Sequence, residues 1–156
     1  MQSVRKEKGP RSVDRSFVAH NTAARERLHA LAGRLGDDAL GRSLDGGWTV
    51  AAALAHLAFW DRRALVLLER WARDGVGPSP ADAEALNEAL LPQWLALPAR
   101  AAAQGALDAA DAVDRALEVA SPEVLAAVAA PARAIALLRA EHRGEHVDQI
   151  ERVLAG

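Results

Sequence analysis

The sequence predicts an all-α protein, a four-helix bundle with an extra short helix before the last helix. Ala and Leu dominate while Val and Ile are sparse, a balance that favours helices over strands. Apolar residues recur at steps of three and four through several long segments, and clusters of Gly and Pro separate those segments. At 156 residues the chain has the size of one domain able to bury its own core. Residues 1–15 are expected to form a flexible basic tail and residues 16–156 the bundle.

The first helix is expected from Phe17 to Leu35, with Val18, Leu28, Leu31 and Leu35 on one face and Gly36 ending it before Asp37 and Asp38. Asp45-Gly46-Gly47 cannot continue a helix cheaply, and Thr49 is a good N-cap for a second helix from Val50 to about Arg73. The first half of that helix is apolar nearly all round, so it should be buried on more than one side. Gly75, Gly77, Pro78 and Pro80 form the next loop. Ser79 or Asp82 then caps a third helix from Ala83 towards Val119, either kinked or split at Pro92 and Pro98. Ser121-Pro122-Glu123 opens a short helix to about Ala129. Pro131 opens the last helix, Ala132 to Leu154, whose core stripe reads Ile135, Leu138, His142, His146, Gln149 and Val153.

Several function classes are disfavoured at once. The chain has no cysteine, so disulfides, thiolate metal sites and a cysteine nucleophile are excluded, and any metal must be held by nitrogen and oxygen ligands. The longest apolar run, Val50 to Trp60, is too short to span a bilayer. Arg5, Lys6, Lys8, Arg11 and Arg15 make the N-terminus basic, but no apolar stretch follows as in a secretory signal, and the expected compartment is the cytoplasm. A net charge of -2 argues against a nucleic-acid partner.

The residues that carry chemistry are histidines. His142 and His146 are four apart, so both rings leave one helix face and can reach one metal ion. They interrupt an apolar stripe, where two imidazoles are costly without partners. His56, inside VAAALAHLAFW, has no polar face to occupy and is the third candidate ligand; three neutral imidazoles suit a metal with an open position. His20 and His29 are read as ordinary surface or core-edge histidines.

Glu145, three residues beyond His142, is a candidate base, with a solvated helix glutamate as the plainer alternative. His142-Arg143-Gly144-Glu145-His146 also spells the inverted zinc-protease signature, but that class needs a distant downstream acidic ligand and only ten residues follow His146. Gly144 inside a helix suggests close packing or ligand approach. Asp61 is expected to pair with Arg62 or Arg63, or to orient a ligand histidine. Trp48, Trp60, Trp71 and Trp94 are read as structural.

Together, GGWTVAAALAHLAFWDRRAL and EHRGEHVDQIERVL resemble the DinB/YfiT-like superfamily of metalloproteins. There a tryptophan and a hydroxyl residue open the second helix, a histidine follows on it, and an H-x-x-x-H pair lies on the last helix. Trp48, Thr49, His56, His142 and His146 match in order and position. The resemblance implies a four-helix bundle, a three-histidine site for zinc, nickel or a similar divalent ion, and a homodimer. It also implies a thiol transferase that uses a low-molecular-weight thiol against an electrophilic small molecule. A metal-dependent hydrolase and a non-catalytic ligand- or metal-binding stress protein are the alternatives.

Overall fold

The computed structural model describes residues 12–129 and 135–156. Its helices are α1 (Phe17–Arg34), α2 (Asp37–Leu40), α3 (Val50–Asp74), α4 (Ala83–Ala96), α5 (Ala99–Val119), α6 (Pro122–Val128) and α7 (Ala140–Ala155). A 3-10 turn covers Asp45–Gly47, and there is no strand among the described residues. No described helix is long and apolar enough to cross a membrane. Of the segment expected as a tail, residues 1–11 lie outside the described residues. Arg15, at its far end, donates to the carbonyls of Leu117 and Glu118 at the C-terminus of α5.

Local signals place most helix ends. The Thr49 hydroxyl accepts from the Ala52 amide at 3.1 Å to start α3, Asp82 accepts from Ala85 at 3.0 Å to start α4, and Ser121 accepts from Val124 at 3.2 Å ahead of Pro122. Each satisfies an amide that the first helical turn leaves without a carbonyl. Pro98 divides the third expected helix into α4 and α5, whereas Pro92 is carried inside α4. The short α2 was not foreseen from the sequence; Gly36 precedes it, and Asp37 and Asp38 occupy its first turn, where negative charge suits the helix dipole.

The last helix departs most from expectation. It begins at Ala140, not Ala132; residues 135–139 are not helical, and the expected start at Pro131 and Ala132 lies outside the described residues. Asn21 of α1 supplies the reason. Its amide oxygen accepts from the Ala140 N–H and its amide nitrogen donates to the Leu137 carbonyl, both at 2.9 Å. A side chain far away in sequence thus satisfies the backbone groups that a longer helix would have paired.

Helices α1, α5, α3 and α7 close into a four-membered bundle in which each packs on the next, and α3 and α5 share the most extensive contact. Partner positions give the directions. Asn21 meets Leu137 and Ala140 while Arg27 meets Glu151, so α1 and α7 run parallel. His56 meets His142 while Asp61 meets Arg139, so α3 is antiparallel to α7. Helix α4 packs on α3. Small side chains let α3 and α5 approach closely: Ala52, Ala55, Ala58 and Ala64 on one, Ala102, Ala106, Ala109 and Ala110 on the other, all buried.

The apolar core forms two clusters. One gathers Leu28, Leu31, Leu54, Leu57, Trp94, Val147 and Ile150; the other gathers Phe17, Leu67, Leu68, Trp71, Val113, Leu117 and Leu125. Along the chain, buried Asn21 of α1, Asp61 of α3 and Arg143 of α7 lie between members of the two clusters, and buried Asp114 of α5 lies between Val113 and Leu117 of the second. Arg143, not His142 or His146, is the α7 side chain that faces the centre, together with Val147 and Ile150. The expected core stripe of the last helix is therefore rotated by one position.

Candidate metal centre

The centre is set by a turn. Gly46 and Gly47 have φ of 71° and 80°, a left-handed conformation that costs glycine little. The chain then returns, with the Leu44 amide donating to the Trp48 carbonyl at 2.8 Å. This sets Trp48 edge-on to His56, with ring centroids 5.3 Å apart. Trp94 of α4 packs at the same distance from His56. Trp60 stands one turn further along α3, and its indole N–H donates to the side-chain amide oxygen of Asn87 at 3.0 Å.

Within this aromatic wall, His56 from α3 meets His142 and His146 from α7. One candidate ligand atom from each ring can be chosen such that all three lie within 4.8 Å of one another. The Nε2 atoms of His56 and His142 are 2.8 Å apart, so one ring donates to the other. His146 Nδ1 lies 3.2 Å from the Gln149 amide oxygen; donation to that acceptor leaves the lone pair of His146 on Nε2. His56 Nδ1 is buried with no hydrogen-bond partner among the described residues. His20 is exposed, and His29 pairs with Asp111 at 2.9 Å, so neither belongs to the centre.

Electrostatics hold the rings neutral. Burial, with the adjacent His146 and His142 adding to it, lowers His56 to about 3, against a weaker opposing effect of Asn87. Burial, then His146, Arg139 and Arg143, lowers His142 to about 3. Burial also lowers His146, with Gln149 and Glu145 opposing. Neutral imidazole is the form that ligates metal. Three neutral imidazoles, each able to bring one nitrogen within 4.8 Å of the others, fit a divalent ion, and these three residues could hold one.

A pocket of about 340 Å³ opens on the rings and is lined by Trp60, Ala83, Asn87, Arg139 and Glu145 as well as the histidines. Glu145 is exposed at its rim. Gly144 has no neighbour within 4 Å of where a Cβ would stand, so close packing does not account for it.

Asp61 forms ion pairs, but not with Arg62 or Arg63. Its carboxylate accepts from Arg139 Nε at 2.9 Å and from Arg143 at 3.2 Å. Arg143 also donates to Asp114 at 2.7 and 2.9 Å and to the Asn21 carbonyl at 3.3 Å. Arg63 instead reaches Ser79 and stacks over Trp60. Burial alone would lower the Arg143 guanidinium, but Asp114 and Asp61 outweigh it and the net shift is upward. The sequence reading missed Arg139 and Arg143, because isolated charges in a helical segment read as solvated. Only the adjacent intruder Asp61 hinted that a partner must exist.

A helical bundle with three convergent, neutral histidines belongs to the class of helical proteins with a metal-capable centre between facing helices. The model described as the DinB superfamily matches residues 20–150, and the chain belongs to that superfamily. No curated protein and no solved structure matches it.

Proposed function

We propose that this protein is a divalent-metal-dependent transferase that joins the sulfur of a low-molecular-weight thiol to an electrophilic small molecule. The observation that carries the reading is the convergence of three uncharged imidazoles on an open pocket: among the described residues three candidate ligands meet there, which suits a centre that keeps a position for an exogenous ligand. A zinc or nickel ion bound there supplies a Lewis acid that makes a thiol or a water more acidic at neutral pH. The chain has no cysteine, so the sulfur comes from outside. In the transfer the thiol loses its proton, a C–S bond forms, and the leaving group departs with its electron pair. His56, His142 and His146 hold the ion, and the Trp48 and Trp94 rings exclude water from the inner side of His56.

Glu145, on the pocket rim beside His142 and His146, supports hydrolysis as a second reading, in which its carboxylate takes the proton from an attacking water. The deciding experiment is elemental mass spectrometry of untagged protein purified without chelator, followed by assay of a thiol with and without an electrophile. About one divalent ion per chain is expected, lost in His56→Ala, His142→Ala and His146→Ala and kept in His20→Ala and His29→Ala. Retained metal in all three of the first set would overturn the centre. Substrate consumption without thiol, abolished by Glu145→Gln, would replace the transferase with the hydrolase.

A further inference from the structure

We infer that Arg139 makes the histidine pocket a carboxylate subsite, so that the substrate of this centre carries a carboxylate close to its reacting group. The inference rests on the reading of the pocket as a binding centre, and it names the chemistry of what binds. A guanidinium has five N–H donors in a fixed fork. Arg143 uses both Nη atoms and Nε on Asp114, Asp61 and the Asn21 carbonyl. Arg139 is only 8% exposed, yet it is held by Nε alone on Asp61.

The two Nη groups of Arg139 have no hydrogen-bond partner among the described residues, and the residue lines the pocket beside His56, His142 and His146. That edge is open to solvent at the pocket, where a bound acceptor can take the place of water, and the Asp61 bond fixes its orientation. Its paired N–H groups match the two oxygens of a carboxylate. A doubly charged phosphate suits the site less well: Arg139 offers one edge, and Glu145 at the rim repels a second negative charge. Trp60 and Ala83 give the remainder of the ligand an apolar wall.

The test is calorimetric titration of the full-length protein with sodium benzoate and, separately, inorganic phosphate, with and without prior loading with zinc. Wild type, Arg139→Gln and Arg139→Lys are compared, folding is checked by circular dichroism, and zinc per chain is counted by elemental mass spectrometry. The expected result is one saturable benzoate site, weakened about tenfold or more in Arg139→Gln, less in Arg139→Lys, and tighter than phosphate. Arg139→Lys keeps a cation beside Asp61 and serves if Arg139→Gln does not fold. Equal benzoate affinity in wild type and variants, absence of saturable benzoate binding, or tighter binding of phosphate overturns the subsite. The two readings fail separately: Arg139-dependent benzoate binding without zinc uptake removes the metal centre and keeps the subsite. One zinc per chain with Arg139-independent benzoate binding does the reverse.

Discussion

Two groups of buried polar side chains stand side by side in this bundle, and they are completed in opposite ways. The Arg143 guanidinium, fully buried, has Asp61, Asp114 and the Asn21 carbonyl around it. The histidines, on α3 and α7, share one hydrogen bond between His56 and His142 and leave His56 Nδ1 without a partner among the described residues. A buried charge layer whose members satisfy one another specifies how helices sit against each other. A cluster of neutral imidazoles open to a pocket can take a ligand that the chain does not supply. The two groups differ in how far their members satisfy one another and not in burial, since His56 and Arg143 are both buried.

The largest test of this contrast is Arg143→Met. It leaves Asp61 with Arg139 and Asp114 with Arg25, but removes the charge that joins both carboxylates, and a loss of about 3–5 kcal/mol is expected in urea denaturation. A loss under about 1 kcal/mol would show that the layer is not structural. Next comes pH. His56 and His142 stand at about 3 in the fold against an ordinary value of 6.5. Between those values the unfolded chain binds more protons than the folded one, so stability falls as pH falls. The metal-free protein should therefore hold its full histidine contribution above about pH 6.5 and lose it progressively towards pH 3. Melting temperatures across that range should fall less steeply in the double variant His56→Gln, His142→Gln; an unchanged slope would mean that the rings are not held neutral by the fold.

A smaller effect is expected from His142→Ala in the metal-free protein at neutral pH. The ring is half-buried, so stability should change by about 1 kcal/mol or less, while stoichiometric metal is lost. Stability and metal binding falling together would merge the two groups that the geometry separates. The smallest is Gly144→Ala. A methyl there meets nothing within 4 Å, and alanine favours the helix by about 1 kcal/mol. Metal-free protein should be slightly stabilised in thermal melts, and a parallel loss of ligand affinity would mark Gly144 as part of the approach to the pocket.

The contrast also explains how far the sequence could be read. Capping and periodicity act within a few residues, and so the starts of α3, α4 and α6 at Thr49, Asp82 and Ser121 were legible. The histidines were legible because each breaks an apolar context: His56 among alanines and leucines, His142 and His146 at helical spacing. Arg143 was not, because arginine between histidine and glycine carries no sign that two carboxylates wait for it.

The sequence by itself determined an all-helical chain, most of its helix ends and the residues of the metal-capable centre, because the signals for each are local. Only the tertiary structure decided where α7 begins, which of its faces turns inward, and which tryptophans enclose His56. It also decided that Arg139 lines the pocket with its Nη groups unpartnered among the described residues. Those outcomes depend on pairs such as Arg143 with Asp114, 29 residues apart, Arg143 with Asp61, 82 apart, and Asn21 with Ala140, 119 apart. A buried charge is tolerated only where its counter-charge arrives, and arrival is a property of the packed helices, not of the stretch of sequence in which the charge is written.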